Sequence, residues 1–208
     1  MDILLSTSNK QKVEFIKIAA SGLGIVFHTP KELGLCLDVE ENGITAVDNA
    51  IIKARALSTL SGMPTFAWDM GMRIEKLPEN LQPNLHIRRP LGNEELSDAD
   101  MVEFWRDVVE KNCDSGESVA RYFDGVAIMD GQKLVSSMSF NEDPFIFSSK
   151  ENKNGFARFN VFDRVRKTFD GKYFCDISEN EYVKYEASRK NNLRMFFEEA
   201  LEKLEEKE

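Results

Sequence analysis

The chain has 208 residues, 42% of them hydrophobic and 30% charged, an ordinary globular composition for about one domain. Lys and Arg number 27 against 36 Asp and Glu, giving a net charge of -9. That balance argues against a long nucleic acid partner, whose binding rests on phosphate neutralisation, but leaves a small anion open. With only His28 and His86, a His-rich metal centre is excluded, and both read as surface or strand-end residues. Cys36, Cys113 and Cys175 are far apart and form no CxxC pair. Neither a zinc site nor a disulfide framework is therefore indicated, and a reducing cytoplasm fits. The opening MDILLSTSNK is too short an apolar run for a signal peptide, and no run approaches the ~18 residues of a membrane span.

In chain order, Asp2 to Ser6 reads as a short buried strand, followed by N-cap oxygens at Ser8 and Asn9. Val13, Ile16 and Ala20 then fall at helical spacing until Gly22 and Gly24, and Ile25 to Phe27 reads as a second strand. Strand, tight turn, helix and strand make an α/β opening. Cys36 to Asn42 is a short acidic segment. Thr45 and Asp48 resemble a capping box, opening a helix from about Ala46 to Leu60 on a stripe of Val47, Ala50, Ile51, Ala54 and Leu57. Gly62 and Pro64 end it, and Thr65 to Trp68 reads as a buried strand. Gly71 is expected to interrupt before a second short strand near Met72 to Glu75. Residues 77–95, with Pro78, Pro83 and Pro90, read as loop. Ser97 caps a helix buried through Met101, Phe104, Trp105 and Val108. Val119 to Met129 and Lys133 to Phe140 flank Asp130-Gly131, a hairpin signal. Residues 155–185 mix aromatic and basic side chains, and Asn191 to Glu208 reads as an amphipathic helix.

Three constellations could carry chemistry. Thr7-Ser8-Asn9-Lys10-Gln11-Lys12 stands between strand and helix, where backbone N–H groups and a lysine one turn in can meet a phosphate. Locally it reads as well as a capped helix with solvated lysines. Glu40 to Gly43 precedes Asn49 and Lys53, which share one helix face, and a surface ion pair is the plainer alternative. Asp69 closes a buried strand before Gly71, where open α/β sheets place ligands, and such an acid can hold Mg²⁺, act as a base or merely cap a turn.

Taken together, TSNKQK, EENGITAVDNAIIKARA and PTFAWDMGM resemble the inosine triphosphate pyrophosphatase family, the noncanonical purine NTP pyrophosphatases. That family carries T-x-N-x-x-K, then E-x-G-x-T-x-x-x-N-A-x-x-K-A, then D-D-S-G-L. This chain matches with Thr7, Asn9 and Lys12; with Glu41, Gly43, Thr45, Asn49, Ala50, Lys53 and Ala54; and with Asp69 and Gly71. Downstream, Lys184 and the run Ser188-Arg189-Lys190 resemble the family's lysine and S-H-R triplet, and its aromatic G-F-G-Y-D-P segment corresponds either to Gly155-Phe156-Ala157 or, in the preferred register, which keeps an aromatic-Asp pair, to Phe162-Asp163-Arg164. Trp68 departs from the first acid of D-D, Met70 from the serine, and Arg189 and Lys190 from the histidine and arginine of the triplet. The loss at Trp68 is expected to weaken metal binding.

The resemblance implies an elongated, two-lobed single domain over residues 1–208, with a mixed central sheet flanked by helices and a nucleotide cleft. It implies hydrolysis of a nucleoside triphosphate to the monophosphate and pyrophosphate with Mg²⁺ held by Glu41 and Asp69, and Asp69 as the catalytic carboxylate. Thr7, Asn9, Lys12, Asn49 and Lys53 would bind the triphosphate. Phe162, Asp163, Lys184, Ser188, Arg189 and Lys190 would meet the rest of the nucleotide. A homodimer is implied, with neither a nucleic acid polymer nor a membrane as partner. Two alternatives are a nucleotide-binding protein with weakened catalysis and a pyrophosphatase with altered base choice.

Overall fold

The computed structural model describes every residue except Asp38, Asn93, Arg158, Phe159 and residues 206–208. Among the described residues, seven strands order as β2-β1-β3-β4-β6-β7, with β5 paired to β4. They are β1 (Asp2–Leu5), β2 (Val26–His28), β3 (Thr65–Ile74), β4 (Glu117–Asp130), β5 (Lys133–Asn141), β6 (Phe145–Ser148) and β7 (Arg166–Lys167). Five α-helices accompany them: α1 (Lys10–Ala19), α2 (Ala46–Ser61), α3 (Asp98–Asn112), α4 (Glu179–Tyr185) and α5 (Ala187–Glu205). β1 runs parallel to β2 and β3, while β6 runs antiparallel to β4 and β7, so the sheet is mixed as expected.

The chain divides into two compact units: Met1–Met70, Asp124–Phe140 and Ala187–Glu208 form the first, and Gly71–Phe123 with Asn141–Glu186 the second. In the first, Ile3, Leu5, Phe66, Trp68, Val126 and Ile128 of the sheet pack with Ile16 and Ala19 of α1 and with Leu193, Phe196, Phe197 and Ala200 of α5. Ala67, Ala127 and Met129 point to the opposite face and meet Ala50 and Ala54 of α2. Strand alternation thus gives α1 and α5 one face and α2 the other. In the second unit, the Trp105 indole of α3 donates to the Ile87 carbonyl at 2.8 Å, and Phe147 packs on Phe162.

Helix starts follow their cap residues. The Asn9 side chain accepts from the backbone N–H groups of Gln11 and Lys12, Thr45 and Asp48 form a reciprocal capping box, and Ser97 caps α3. Three expectations are corrected. Gly71 does not interrupt β3; a Cβ there would lie 2.1 Å from the Phe123 ring and 2.6 Å from the Asn84 carbonyl oxygen. The glycine serves close packing within a continuous strand, and Asp69 lies inside that strand instead of at its end. The last helix begins at Ala187, four residues before Asn191, and the expected stretch beyond Glu205 lies outside the described residues. Within 140–185, β6, β7 and α4 form where periodicity is too short to read.

Candidate active site

On the α2 face of β3, one carboxylate gathers the motif residues. Asp69 Oδ1 accepts from the Lys53 ammonium at 2.9 Å, and Asp69 Oδ2 accepts from the Asn49 side-chain amide at 3.0 Å. Asn49 in turn accepts from the Gly43 backbone N–H at 2.8 Å, which ties the acidic loop to the helix. From that loop, Glu41 Oε2 lies 2.9 Å from the same Lys53 ammonium. Asn49 and Lys53 reach together because they are one turn apart on α2. Asn49 is buried, and the Lys53 and Asp69 side chains keep 18% and 13% of their exposure. The ion pair is therefore shielded from bulk water, where screening would make it weak.

A second group forms on the α1 and α5 face. Trp68 is 6% exposed, and its indole N–H donates to Asp124 Oδ1 at 2.8 Å. Asp124 Oδ2 lies 3.6 Å from Arg189 Nε. The Lys12 ammonium sits 5.1 Å from the Trp68 ring centre, and the Arg189 guanidinium carbon 5.5 Å from it and 5.7 Å from that of Phe15. Cations held over aromatic faces are attracted by the ring quadrupole. Burial pushes the Asp124 carboxyl above its usual range, although Arg189, the Trp68 N–H and Lys12 pull it back. Burial, with repulsion from Lys53 and Arg189, lowers the Lys12 ammonium to about 8 against the opposite pull of Asp69 and Asp124.

The other expected residues are placed as follows. Thr7 Oγ1 accepts from the Asn9 N–H at 3.1 Å, so the pair shapes the turn into α1. Ser188 is half-buried in the first turn of α5. The exposed Lys190 lines a groove between α1 and α5 with Lys10, Glu14 and Lys17. Lys184 is exposed on α4 in the second unit. Phe162 and Asp163 are interior to that unit, at 2% and 0% exposure. Asp163 accepts from the Arg166 guanidinium at 2.7 Å and from the Asn160 N–H at 3.2 Å. The Phe162 ring is covered, so it has no free face on which a base could stack. Asp124 is the residue sequence reasoning missed. Its signal was a single carboxylate inside the apolar run Val119 to Met129.

A model of the Ham1 family matches residues 3–157. The chain belongs to the Ham1 family. Its curated relatives include the dITP/XTP pyrophosphatase of Haemophilus ducreyi, 28% identical over 160 residues, covering 74% of this chain and 78% of that protein. That of Xanthomonas axonopodis pv. citri is 30% identical over 145 residues, covering 66% and 69%. Among solved structures, a HAM1 protein from Coxiella burnetii aligns with a TM-score of 0.73 at 24% identity, over 98% of this chain and 96% of that one. The Staphylococcus aureus Ham1 protein aligns with a TM-score of 0.73 at 20% identity, over 95% and 98%. The Ham1 architecture is thus shared along nearly the whole chain, and the family expected from the three motifs is confirmed.

Proposed function

We propose that this Ham1-family chain hydrolyses noncanonical purine nucleoside triphosphates to the monophosphate and pyrophosphate, with a divalent metal held by Glu41 and Asp69. The observation that carries this reading is the convergence of both carboxylates, each 2.9 Å away, on one ammonium, that of Lys53. Their oxygens already meet at one cationic point. Among the described residues, no cluster of three or more His, Cys, Asp or Glu stands ready as a cage. Two carboxylates completed by substrate phosphates are what Mg²⁺ accepts, so the donors present fit that ion. When bound, the metal supplies charge neutralisation on the phosphate oxygens.

The chain's own residues supply the rest. Asp69 orients the attacking water and takes its proton. Lys53 and Asn49 fix the carboxylate through one hydrogen bond to each oxygen, leaving lone pairs for this task. Lys53 and Lys12 offset phosphate charge, and Thr7 and Asn9 set the start of α1 that faces it. Arg189 and Ser188 at the start of α5 contribute nucleotide contacts from the same unit.

The reading takes residues 1–208 as one pyrophosphatase-like domain, working as a homodimer in the cytoplasm. The three cysteines, all unpaired, support a reducing setting. Among the described residues, no helix is long and apolar enough to cross a membrane.

The test is a panel of ITP, XTP, dITP and the four standard triphosphates, with Mg²⁺ and with a chelator. Metal-dependent pyrophosphate release, strongest with ITP, XTP or dITP, is expected. Equal turnover of ATP and ITP would shift the reading to altered base choice. Tight triphosphate binding without turnover would make the chain a binding protein on the same fold.

A further inference from the structure

The first unit buries a carboxylate that the reaction above does not use. Asp124, 1% exposed, shares its face of β4 with the core residues Val126 and Ile128. A charge in such a place is costly, and apolar replacements of buried ionic groups are often neutral or stabilising. What surrounds it suggests a reason for keeping it. Its two oxygens address Trp68 Nε1 at 2.8 Å and Arg189 Nε at 3.6 Å, and the Trp68 ring also carries the Lys12 ammonium.

Among the described residues, that ammonium makes no hydrogen bond and no ion pair. Lys53 on α2 and Arg189 on α5 repel it, while Asp69 on β3 and Asp124 on β4 attract it. Lys53 is already matched by Glu41 and Asp69. Asp124, beside Arg189 at 3.6 Å, is then the carboxylate on this face that attracts Lys12. Lys12 and Arg189 thus both lie against the Trp68 ring that Asp124 holds, and an array of cations suits an anionic chain.

We propose that Asp124 is a positioning residue of the phosphate site: bound to Trp68, it keeps Lys12 charged and Arg189 in place for the polyphosphate of the substrate. The inference rests on the phosphate-binding reading of Lys12 given above. Without the Asp124 charge, Lys12 faces Lys53 and Arg189 with less offset, and it loses its proton at lower pH.

The experiment is calorimetric binding of inorganic tripolyphosphate to the full chain, without metal, from pH 6 to 9.5. All variants are compared at the same pH, so the probe's own ionisation cancels. In the unsubstituted protein, affinity falls across an alkaline limb. Asp124→Asn moves that limb down by about one pH unit, so affinity at pH 8 drops about fivefold. Adding Lys12→Arg to Asp124→Asn restores alkaline binding, because a guanidinium keeps its proton. Asp124→Ala, which admits water beside Trp68, is the second variant and shifts the limb the same way.

A limb that stays put in both variants overturns the inference, as does a loss that Lys12→Arg fails to rescue. Failure of both variants to fold also overturns it, making Asp124 a folding determinant only. Tripolyphosphate binding with a normal limb but no pyrophosphate release from any nucleotide would sink the enzyme reading alone. No tripolyphosphate binding by the unsubstituted protein would sink both.

Discussion

Trp68 and Asp69 are adjacent in β3 and face opposite sides of the sheet. Trp68 packs with the α1 and α5 core, whereas Asp69 bonds to Asn49 and Lys53 of α2. The replacement of an acid by Trp68 therefore leaves the Glu41–Asp69 pair intact, because position 68 points away from it. The expected weakening of the metal site at Trp68 has no geometric basis here. What the tryptophan changes is the other face, where it holds Asp124 and carries two cations.

Asp69→Asn is expected to abolish turnover while preserving the fold. The amide still accepts from Lys53 but neither takes a proton nor binds metal well. A loss of about 10²–10⁴-fold in kcat is the scale for a positioned acid–base group. Pyrophosphate release with a matching far-UV spectrum checks it, and near-normal rates would remove Asp69 from the mechanism.

Lys53→Ala leaves Glu41 and Asp69 facing one site without their shared ammonium. We expect kcat/KM to fall by roughly 10–100-fold through loss of a charged phosphate contact. Because two like charges then adjoin, added Mg²⁺ should recover thermal stability more than activity. A melting series with Mg²⁺ run beside the kinetics tests this, and unchanged kinetics would reduce Lys53 to a surface residue.

Lys12 sets a pH dependence with a definite sign. Its ammonium is lowered to about 8 when folded, against an ordinary value of 10.5. Below about pH 8 both states are protonated, and the folded state bears the full cost of holding a half-buried charge beside Lys53 and Arg189. Between about 8 and 10.5 the unfolded chain binds more protons, so stability rises with pH while phosphate affinity falls. Lys12→Met should accordingly melt a few degrees higher at pH 7, with the gain shrinking above pH 8, and should bind triphosphate more weakly. A melting temperature that falls at pH 7 would contradict this.

Asp163 and Arg166 form a fully buried pair within the second unit, with Arg166 over the Phe174 ring at 4.2 Å. Asp163→Ala leaves an uncompensated buried guanidinium, which costs about 3–5 kcal/mol. Asp163→Leu with Arg166→Met should regain much of that loss. Denaturant unfolding measures both. A raised KM for the double variant at normal stability would return Asp163 to substrate binding.

Much of this protein was legible without its fold. Helix starts were readable because Asn9, Thr45 and Ser97 cap them by short-range hydrogen bonds. The Asn49–Lys53 relationship was readable because i and i+4 share a face on any helix. Spacing across three motifs named the family, and Glu41, Lys53 and Asp69 do converge. Tertiary structure decided the rest. Alternation shows that Trp68 and Asp69 diverge, but only packing shows which helices each face meets. Asp124 and Trp68 are 56 residues apart in the chain, and no local pattern links a carboxylate in one strand to an indole in another. Phe162 and Asp163 matched a motif by residue type, yet burial assigns them to the core. Caps and periodicities depend on nearest turns, whereas the partner of a buried charge depends on which distant segments share the same low-dielectric interior.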